Sequence, residues 1–434
     1  MRTVQVAGMI VLIVLAVGCG GSSSGNGSGS GGGGGGASGN NVATLSIDGG
    51  PPSLLGQGLV YVNGVFTTVT ICVPGTSTCQ AIDHVLVDTG SYGLRVLATA
   101  NDPGGLSLQL PAENDATGRP LVECTQFADQ SFLWGPVKLA DVKLGGTSGT
   151  AEVASNIPIN VVGDGSFTTI PSACSSNGTG TNANSLNGLG ANGILGVGVF
   201  PQDCGPFCTQ QGSPNAPPTP FYYACPTSGC TPSYAALSQQ VLNPVVAFPT
   251  DNNGVVIQLP AVASTGAPNV TGSLVFGIGT QSNNALPSGA HIFAVDGFGD
   301  FRTTYKSVNY GPRSITNNTD SYIDSGSNGI FFPDSITQCG SGATGFYCPT
   351  STMNLTATQV SASLSPSNTV NFSIANAQSL FSANNGGNTA FSNLGGTNTG
   401  VFDWGLPFFF GKNVYSAIAG QATPAATPAP YWAY

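Results

Sequence analysis

Short apolar segments rich in valine, isoleucine, threonine and phenylalanine alternate along the chain with turns of glycine, proline, asparagine and serine. Such β-branched and aromatic segments, each about four to eight residues long, indicate strands. The predicted strands cover residues 65–72, 80–87, 137–144, 157–162, 194–200, 255–259, 273–276, 300–310 and 321–324. Helical periodicity is sparse, and one short helix is predicted over residues 234–242. The pattern predicts an all-β protein of two lobes with few short helices.

Two of the predicted strands lead into the same acidic motif. Residues 88–91 read Asp-Thr-Gly-Ser and residues 324–327 read Asp-Ser-Gly-Ser. After one intervening residue, each motif continues with a glycine and an aliphatic residue. The two aspartates lie 236 positions apart, which suits one motif in each half of a duplicated fold. We therefore expect the two acidic loops to meet.

Two carboxyl groups held close together cannot both ionise cheaply, so one keeps a proton while the other is charged. Such a pair can activate a water molecule, which makes Asp88 and Asp324 candidate catalytic residues. Their neighbours have supporting roles: turn formation by glycine, hydrogen bonds between the loops, and donation to the carboxylates. The supporting residues are Thr89, Gly90, Ser91, Ser325, Gly326 and Ser327. The alternative is that both aspartates merely cap turns.

Composition excludes several classes of protein. The chain has 434 residues, 6% of them charged and 40% hydrophobic, with 63 glycines and 30 prolines. This argues against a coiled coil or a helical bundle and permits a large core. A net charge of −10 with nine Lys and Arg excludes a basic surface for nucleic acid. Two isolated histidines, His84 and His291, support neither a Ser-His-Asp triad nor a metal site, so no metal or cofactor is expected.

The N-terminus predicts export. Residues 1–18 have a positive start and an apolar stretch typical of a signal peptide. Small residues precede Cys19, as in bacterial lipoprotein signals, so Cys19 is the predicted lipidation site. The alternative is an ordinary signal peptide with Cys19 incidental. Residues 19–40 form a Gly/Ser tether, which fits a domain held in the cell envelope by a lipid anchor.

The remaining ten cysteines predict five disulfides in an oxidising compartment. The expected local pairs are Cys72–Cys79 and Cys339–Cys348. Four cysteines are expected to pair among themselves in one of three ways, or alternatively to bind zinc, and two are left for each other. The four are Cys204, Cys208, Cys225 and Cys230, and the remaining two are Cys124 and Cys174.

Turn-rich stretches divide the exported part. The predicted units are an N-terminal β lobe over 41–265 with a disulfide-rich insertion at 201–233, a C-terminal β lobe over 270–420, and an Ala/Pro tail over 421–434.

The paired motifs, with the hairpin leading into Asp88, resemble those of the pepsin-like aspartic proteases. Residues 192–196, 272–277 and 405–415 resemble further segments of that family, and the lipoprotein signal with its tether is similar to a bacterial lipoprotein family of unknown function. The resemblance implies a bilobal double β-barrel with pseudo-twofold symmetry. It also implies two hydrophobic-hydrophobic-Gly elements behind the acidic loops. The first is clear at 194–196, and the second is expected near Leu406–Pro407.

The chain departs from that family at the flap over the cleft. Arg95 stands where the family usually has a tryptophan, and residues 124–142 contain no tyrosine. Phe132 and Trp134 are the remaining flap candidates. The resemblance implies a monomeric, membrane-anchored aspartic endopeptidase that binds an extended peptide or protein substrate. The alternative is a non-catalytic protein that binds a peptide or glycan on the same scaffold.

Overall fold

The computed structural model describes residues 13–14, 37–212, 217–313 and 319–434. Apart from residues 13–14, the predicted signal peptide lies outside the described residues, as do Cys19 and most of the tether. Strands account for 38% and helices for 9% of the protein. The prediction of an all-β fold with few short helices is therefore confirmed.

The strands of the first half and of the connection to the second are short or medium in length. They are β1 (Ile13–Val14), β2 (Val42–Ile47), β3 (Leu59–Val60), β4 (Phe66–Cys72), β5 (Cys79–Asp88), β6 (Tyr92–Leu97), β7 (Leu121–Gln126), β8 (Ser131–Leu144), β9 (Glu152–Val162), β10 (Thr181–Asn182), β11 (Gly193–Val197), β12 (Tyr222–Ala224), β13 (Thr231–Pro232), β14 (Gly254–Gln258) and β15 (Val270–Phe276).

The strands that follow are β16 (Ile292–Ala294), β17 (Arg302–Tyr305), β18 (Val308–Tyr310), β19 (Asp320–Ile323), β20 (Ile330–Phe331), β21 (Met353–Val360), β22 (Ser367–Ile374), β23 (Gly395–Gly396), β24 (Val401–Trp404), β25 (Asn413–Ala417) and β26 (Tyr431–Ala433). The α-helices are α1 (Pro52–Leu55), α2 (Leu186–Leu189) and α3 (Ala377–Ser382). The helix predicted over 234–242 is a single 3-10 turn, Leu237–Gln239. The backbone is extended on both sides of this turn, at Ala236 and at Gln240.

Six strands of the first half close into a barrel. Around the barrel their order is β4, β8, β9, β6, β11 and β5, and β5 pairs again with β4. Strand β5 is partly exposed at its beginning and fully buried from Val85 to Asp88. This continuous buried segment is typical of a strand covered on both faces, and it carries Asp88 into the interior.

One sheet continues from the barrel through both halves. Beyond β4 it runs through β2, β15, β14, β25, β26 and β16. The predicted tail takes part in this sheet, because β26 pairs with both β25 and β16. Trp432 of that strand is buried, and its indole nitrogen donates to Gly299 O at 3.3 Å. The aromatic end of the chain is therefore a structural element of the sheet.

The second half adds two four-stranded sheets, with strand orders β18-β17-β21-β22 and β19-β24-β20-β23. The second of these repeats a segment of the barrel, β5-β11-β6-β9. In both segments the first pair is parallel, the second antiparallel and the third parallel. A pseudo-twofold axis relating the complete halves stays a prediction.

The five expected disulfides are present. Cys72–Cys79, Cys124–Cys174 and Cys339–Cys348 form as predicted. The cluster of four resolves into Cys204–Cys208 and Cys225–Cys230, so these sulfurs are not thiolates available to zinc. Five disulfides indicate an oxidising compartment. In the described part of the chain, no helix is long and apolar enough to span a membrane.

Candidate active site

The two candidate catalytic aspartates lie together at the centre of the molecule. Asp88 ends β5, and Asp324 follows directly after β19. Their carboxyl groups lie within hydrogen-bonding reach of each other. A Cβ atom placed on Gly326 would lie 2.7 Å from Asp88 Oδ1 and 3.1 Å from Asp324 Oδ1. The structure thus brings the acid pair together, and only a glycine leaves room for it at position 326.

Each carboxylate is held by the same pair of donors from its own loop. Gly90 N donates to Asp88 Oδ1 at 2.7 Å, and Gly326 N donates to Asp324 Oδ1 at 2.7 Å. Ser91 Oγ donates to Asp88 Oδ2, and Ser327 Oγ donates to Asp324 Oδ2 at 2.8 Å. These donors fix the orientation of both carboxyl groups and favour their charged forms.

Thr89 and Ser325 lock the two loops to each other. Thr89 Oγ1 donates to Ile323 O at 3.0 Å and accepts from Ser325 N at 2.9 Å. In the reciprocal contact, Ser325 Oγ donates to Val87 O at 2.7 Å and accepts from Thr89 N at 3.1 Å. All four bonds are buried, so they set the separation of the acid pair rigidly.

Burial dominates the electrostatics of the pair. Asp88 is 2% exposed and Asp324 is fully buried. Burial raises the pKa of Asp88, although hydrogen bonds from Asp324, Ser91 and Gly90 act against it. The pKa of Asp324 lies well above its usual range because of burial and the charge of Asp88. Two such groups titrate as one unit that holds a proton between them.

A strand passes closely behind each acidic loop. Residue Gly196 of β11 lies opposite Asp88, and a Cβ there would lie 2.6 Å from Tyr92 N. In the second half Trp404 lies opposite Ile323, and a Cβ on Gly405 would lie 2.0 Å from Gly329 O. Residues 403–405 therefore correspond in strand register to residues 194–196, and the expected position at Leu406–Pro407 is wrong. Asp403 stands at one of the two positions where the expected hydrophobic-hydrophobic-Gly pattern has a hydrophobic residue, so the sequence did not reveal the pattern there.

The flap candidates Phe132 and Trp134 do not line the cavity beside the acid pair. Phe132 and Trp134 are buried in a cluster with the Cys124–Cys174 disulfide, and Trp134 Nε1 donates to Phe167 O at 2.8 Å. Their burial does not support the flap role predicted for them. The β7–β8 hairpin instead presents Ala128, at its turn, to a cavity beside the acid pair. The alternation of side chains along β8 decides which of them face the core, and sequence alone did not fix its register.

Arg95 lies at the centre of a buried ionic cluster. Its Nη2 atom donates to Asp203 Oδ2 at 3.0 Å, and its Nε atom donates to Glu123 Oε1 at 3.1 Å. Tyr222 Oη donates to Asp203 Oδ1 at 2.7 Å. The cluster joins β6, the β7–β8 hairpin and the disulfide-rich insertion. It occupies the position where the resemblance implied a tryptophan paired with a flap tyrosine.

A family model described as "Protein of unknown function (DUF3443)" matches residues 37–434. The chain belongs to the DUF3443 family. No curated protein matches it. The family match covers every residue of the site in this DUF3443 protein, and its description assigns no activity.

Two buried residues near the acid pair were missed by sequence reasoning. The Tyr61 side chain is fully buried, and the charges of Asp324 and Asp88 contribute to raising its pKa. Asp403 lies on β24 within hydrogen-bonding reach of Ser327. An acidic residue inside the apolar segment 401–404 was a usable signal for Asp403. Nothing in the sequence marks Tyr61 as a site residue.

A cavity of about 540 Å³ opens beside the acid pair of the DUF3443 protein. Thr89 and Gly90 of the first acidic loop and Tyr322 of β19 line it, whereas Asp88 and Asp324 themselves do not. Three exposed apolar side chains stand around it: Phe207, Phe298 and Leu237, at 51%, 45% and 43% exposure. Phe207 and Phe298 stack with their ring centroids 6.4 Å apart. Exposed apolar side chains concentrated at one cavity indicate a ligand-contacting surface.

Proposed function

We propose that this DUF3443 protein is an aspartic-type endopeptidase, in which Asp88 and Asp324 activate water to hydrolyse peptide bonds. The observation that carries the proposal is the pair of buried carboxyl groups, which lie together beside Gly326 and are held by matching donors from both loops. This arrangement holds one proton at the site and leaves one carboxylate free to act as a base.

The environment of each acid suggests its role. Asp324 has the more strongly raised pKa, so it keeps the shared proton, while the positive charge of Arg95 favours ionisation of Asp88. Asp88 would remove a proton from the attacking water, and Asp324 would donate its proton to the carbonyl oxygen. The tetrahedral intermediate then collapses as the leaving nitrogen takes a proton from Asp88 and the intermediate returns one to Asp324.

The cavity supports an extended peptide as the substrate. Its aromatic rim, formed by Phe207 and Phe298, provides apolar contacts for a large side chain next to the scissile bond. The rim residues come from the disulfide-rich insertion and from the second half, so both parts of the chain would contact the substrate. We expect the protein to act as a monomer.

Location follows from the N-terminus in this proposal. Residues 1–18 would direct export, Cys19 would carry lipid, and the Gly/Ser tether would hold the domain away from the membrane. The substrate would then be an exported or surface protein of the cell envelope. Mass spectrometry of the mature N-terminus tests the anchor: a diacylated Cys19 supports it, and an unmodified N-terminus elsewhere contradicts it.

The proteolytic activity is tested by incubating an unfolded protein with the purified chain from pH 3 to pH 7, with and without a statine-type inhibitor. We expect cleavage that the inhibitor blocks and that Asp88→Asn reduces by at least about 1,000-fold, since the general base is lost. Asp164→Asn is the matched control, because this carboxylate caps the turn at Ser166 away from the acid pair. Equal behaviour of wild type and Asp88→Asn at every pH would refute the proposal.

A second candidate function is non-catalytic binding of a peptide or glycan. The very low exposure of both carboxyl groups favours it, because a catalytic pair must reach water and substrate. The same proteins decide between the two. Binding of an unfolded protein by wild type and by Asp88→Asn with equal affinity, without cleavage by either, would support the binding protein.

A further inference from the structure

A third carboxyl group lies beside the acid pair. Asp403 is in β24, where its neighbours Phe402 and Trp404 are apolar, and it is 2% exposed. In the sheet it lies opposite Tyr322 of β19 and Phe331 of β20. In such surroundings the charged form of a carboxyl group is strongly disfavoured unless it is fully hydrogen-bonded. The protonated form avoids this cost.

The hydrogen bonds of Asp403 are incomplete for a carboxylate. Its side chain lies within hydrogen-bonding reach of the Ser327 side chain, whereas its Oδ1 atom has no hydrogen-bond partner among the described residues. The same Ser327 hydroxyl donates to Asp324 Oδ2 at 2.8 Å. A hydroxyl has one proton to donate and two lone pairs to accept with. Since Ser327 gives its proton to Asp324, its bond to Asp403 requires a proton from Asp403.

The charges around Asp403 also favour its protonated form. The acidic loops present Asp324 and Asp88, β19 presents Tyr322, and β20 presents the apolar Phe331. No cation is among these facing groups in the described part of the chain. Burial and the charge of Asp88 both raise the pKa of Asp403. Donation by Ser327 would lower that pKa, but the Ser327 proton is given to Asp324.

We propose that Asp403 is protonated in the native protein and acts on the acid pair through Ser327 as a positioning and proton-holding residue. Asp403 then donates a hydrogen bond to Ser327, and Ser327 donates one to Asp324. Each of the two protons forms one hydrogen bond. When Asp324 gives its proton to a substrate carbonyl, the Ser327 proton can move to Asp324 and the Asp403 proton to Ser327. This leaves one carboxylate at Asp403, and the proton returns along the same path.

The native protonation of Asp403 does not depend on catalysis, while its effect on the acid pair rests on the proposed function. The first is tested by the pH dependence of unfolding for wild type, Asp403→Asn and Asp164→Asn. The unfolded chain loses the Asp403 proton near pH 4, while the native protein keeps it. Relative to Asp403→Asn, the unfolding equilibrium constant of wild type should therefore rise by up to about tenfold per pH unit above pH 4.

If the unfolding equilibrium constants of wild type and Asp403→Asn change in parallel with pH, the proposal is overturned, whatever the activity of the protein. Asp164→Asn is the control for removing one carboxyl group away from the acid pair. Asp403→Leu fills the same space without a titrating group and serves where Asp403→Asn does not fold; its curve should diverge from wild type in the same direction.

The catalytic effect is tested by the pH profile of kcat/KM. The amide of Asp403→Asn still donates to Ser327 but cannot release a proton. We expect activity near wild type at pH 4 and a loss of at least about threefold at pH 7, as the basic limb moves to lower pH. An unchanged profile would show that Asp403 is only structural. If wild type cleaves nothing, the proposed function fails, while the unfolding comparison still decides the protonation of Asp403.

Discussion

At the scale of single residues, the site depends on the glycine at position 326 as much as on the two aspartates. Gly326 has no Cβ, and the space that a Cβ would take is within 3.1 Å of an oxygen from each aspartate. Its backbone nitrogen holds Asp324 at the same time. One glycine therefore permits the approach of the two carboxyl groups and fixes one of them.

Gly326→Ala should separate the acid pair. The added methyl group would overlap Asp88 Oδ1, and a displacement of about 1 Å in a catalytic group costs on the order of 100-fold in rate. We expect this loss in cleavage of an unfolded protein at the optimal pH. Gly340→Ala is the matched control, because a Cβ at that position has no atom within 4 Å. Full activity of Gly326→Ala would contradict the geometry described for the pair.

At the scale of elements, the Arg95 cluster holds the first acidic loop against the β7–β8 hairpin and the insertion. Arg95 Nη1 also donates to Tyr92 O at 2.8 Å, just beyond Ser91. Burial and the charge of Glu123 raise the pKa of Asp203 well above its usual range, although Arg95 lowers it. The resemblance implied an aromatic pair here, and the structure has a buried ionic cluster that joins the same elements.

Arg95→Met should destabilise the fold strongly. It leaves Glu123 and Asp203 buried without their cation, which typically costs about 3–5 kcal/mol. Arg119→Met removes a cation from a half-exposed ion pair with Asp115, which is expected to cost no more than about 1 kcal/mol. Urea denaturation of the three proteins at pH 7 measures both changes. Equal losses for the two variants would show that burial of the cluster contributes nothing.

At the scale of the whole molecule, one sheet spans both halves and the acid pair lies where they meet. Burial raises the pKa of many carboxyl groups, among them Asp88, Asp203, Asp300, Asp324 and Asp403. The pKa of His84 is also raised, by its contacts with Asp48 and Asp83 against burial. Each of these groups binds its proton more tightly in the native than in the unfolded protein.

The sign of the pH dependence follows. A group with a raised pKa contributes stability that is fully present below its pKa in the unfolded chain. This stability is lost as the pH rises through its pKa in the native protein. The free energy of unfolding should therefore fall from pH 5 to pH 8. Three carboxyl groups with lowered pKa values, Asp48, Asp115 and Asp334, change stability only below about pH 4. The lowered pKa of Lys412 changes stability with the opposite sign. Urea denaturation at unit pH steps is the measurement, and a rise in stability over this range would contradict the prediction.

The sequence by itself determined the all-β class, the five disulfides and the local chemistry of the acidic loops. These follow from short-range rules: strand periodicity, cysteine count and the turn that Asp-Thr/Ser-Gly imposes. Only the tertiary structure decided which of three pairings the four clustered cysteines adopt, that Phe132 and Trp134 are core residues, and that Arg95 and Asp403 are buried beside the site. Those outcomes depend on strand register and on contacts between residues far apart in the chain, which no local pattern specifies.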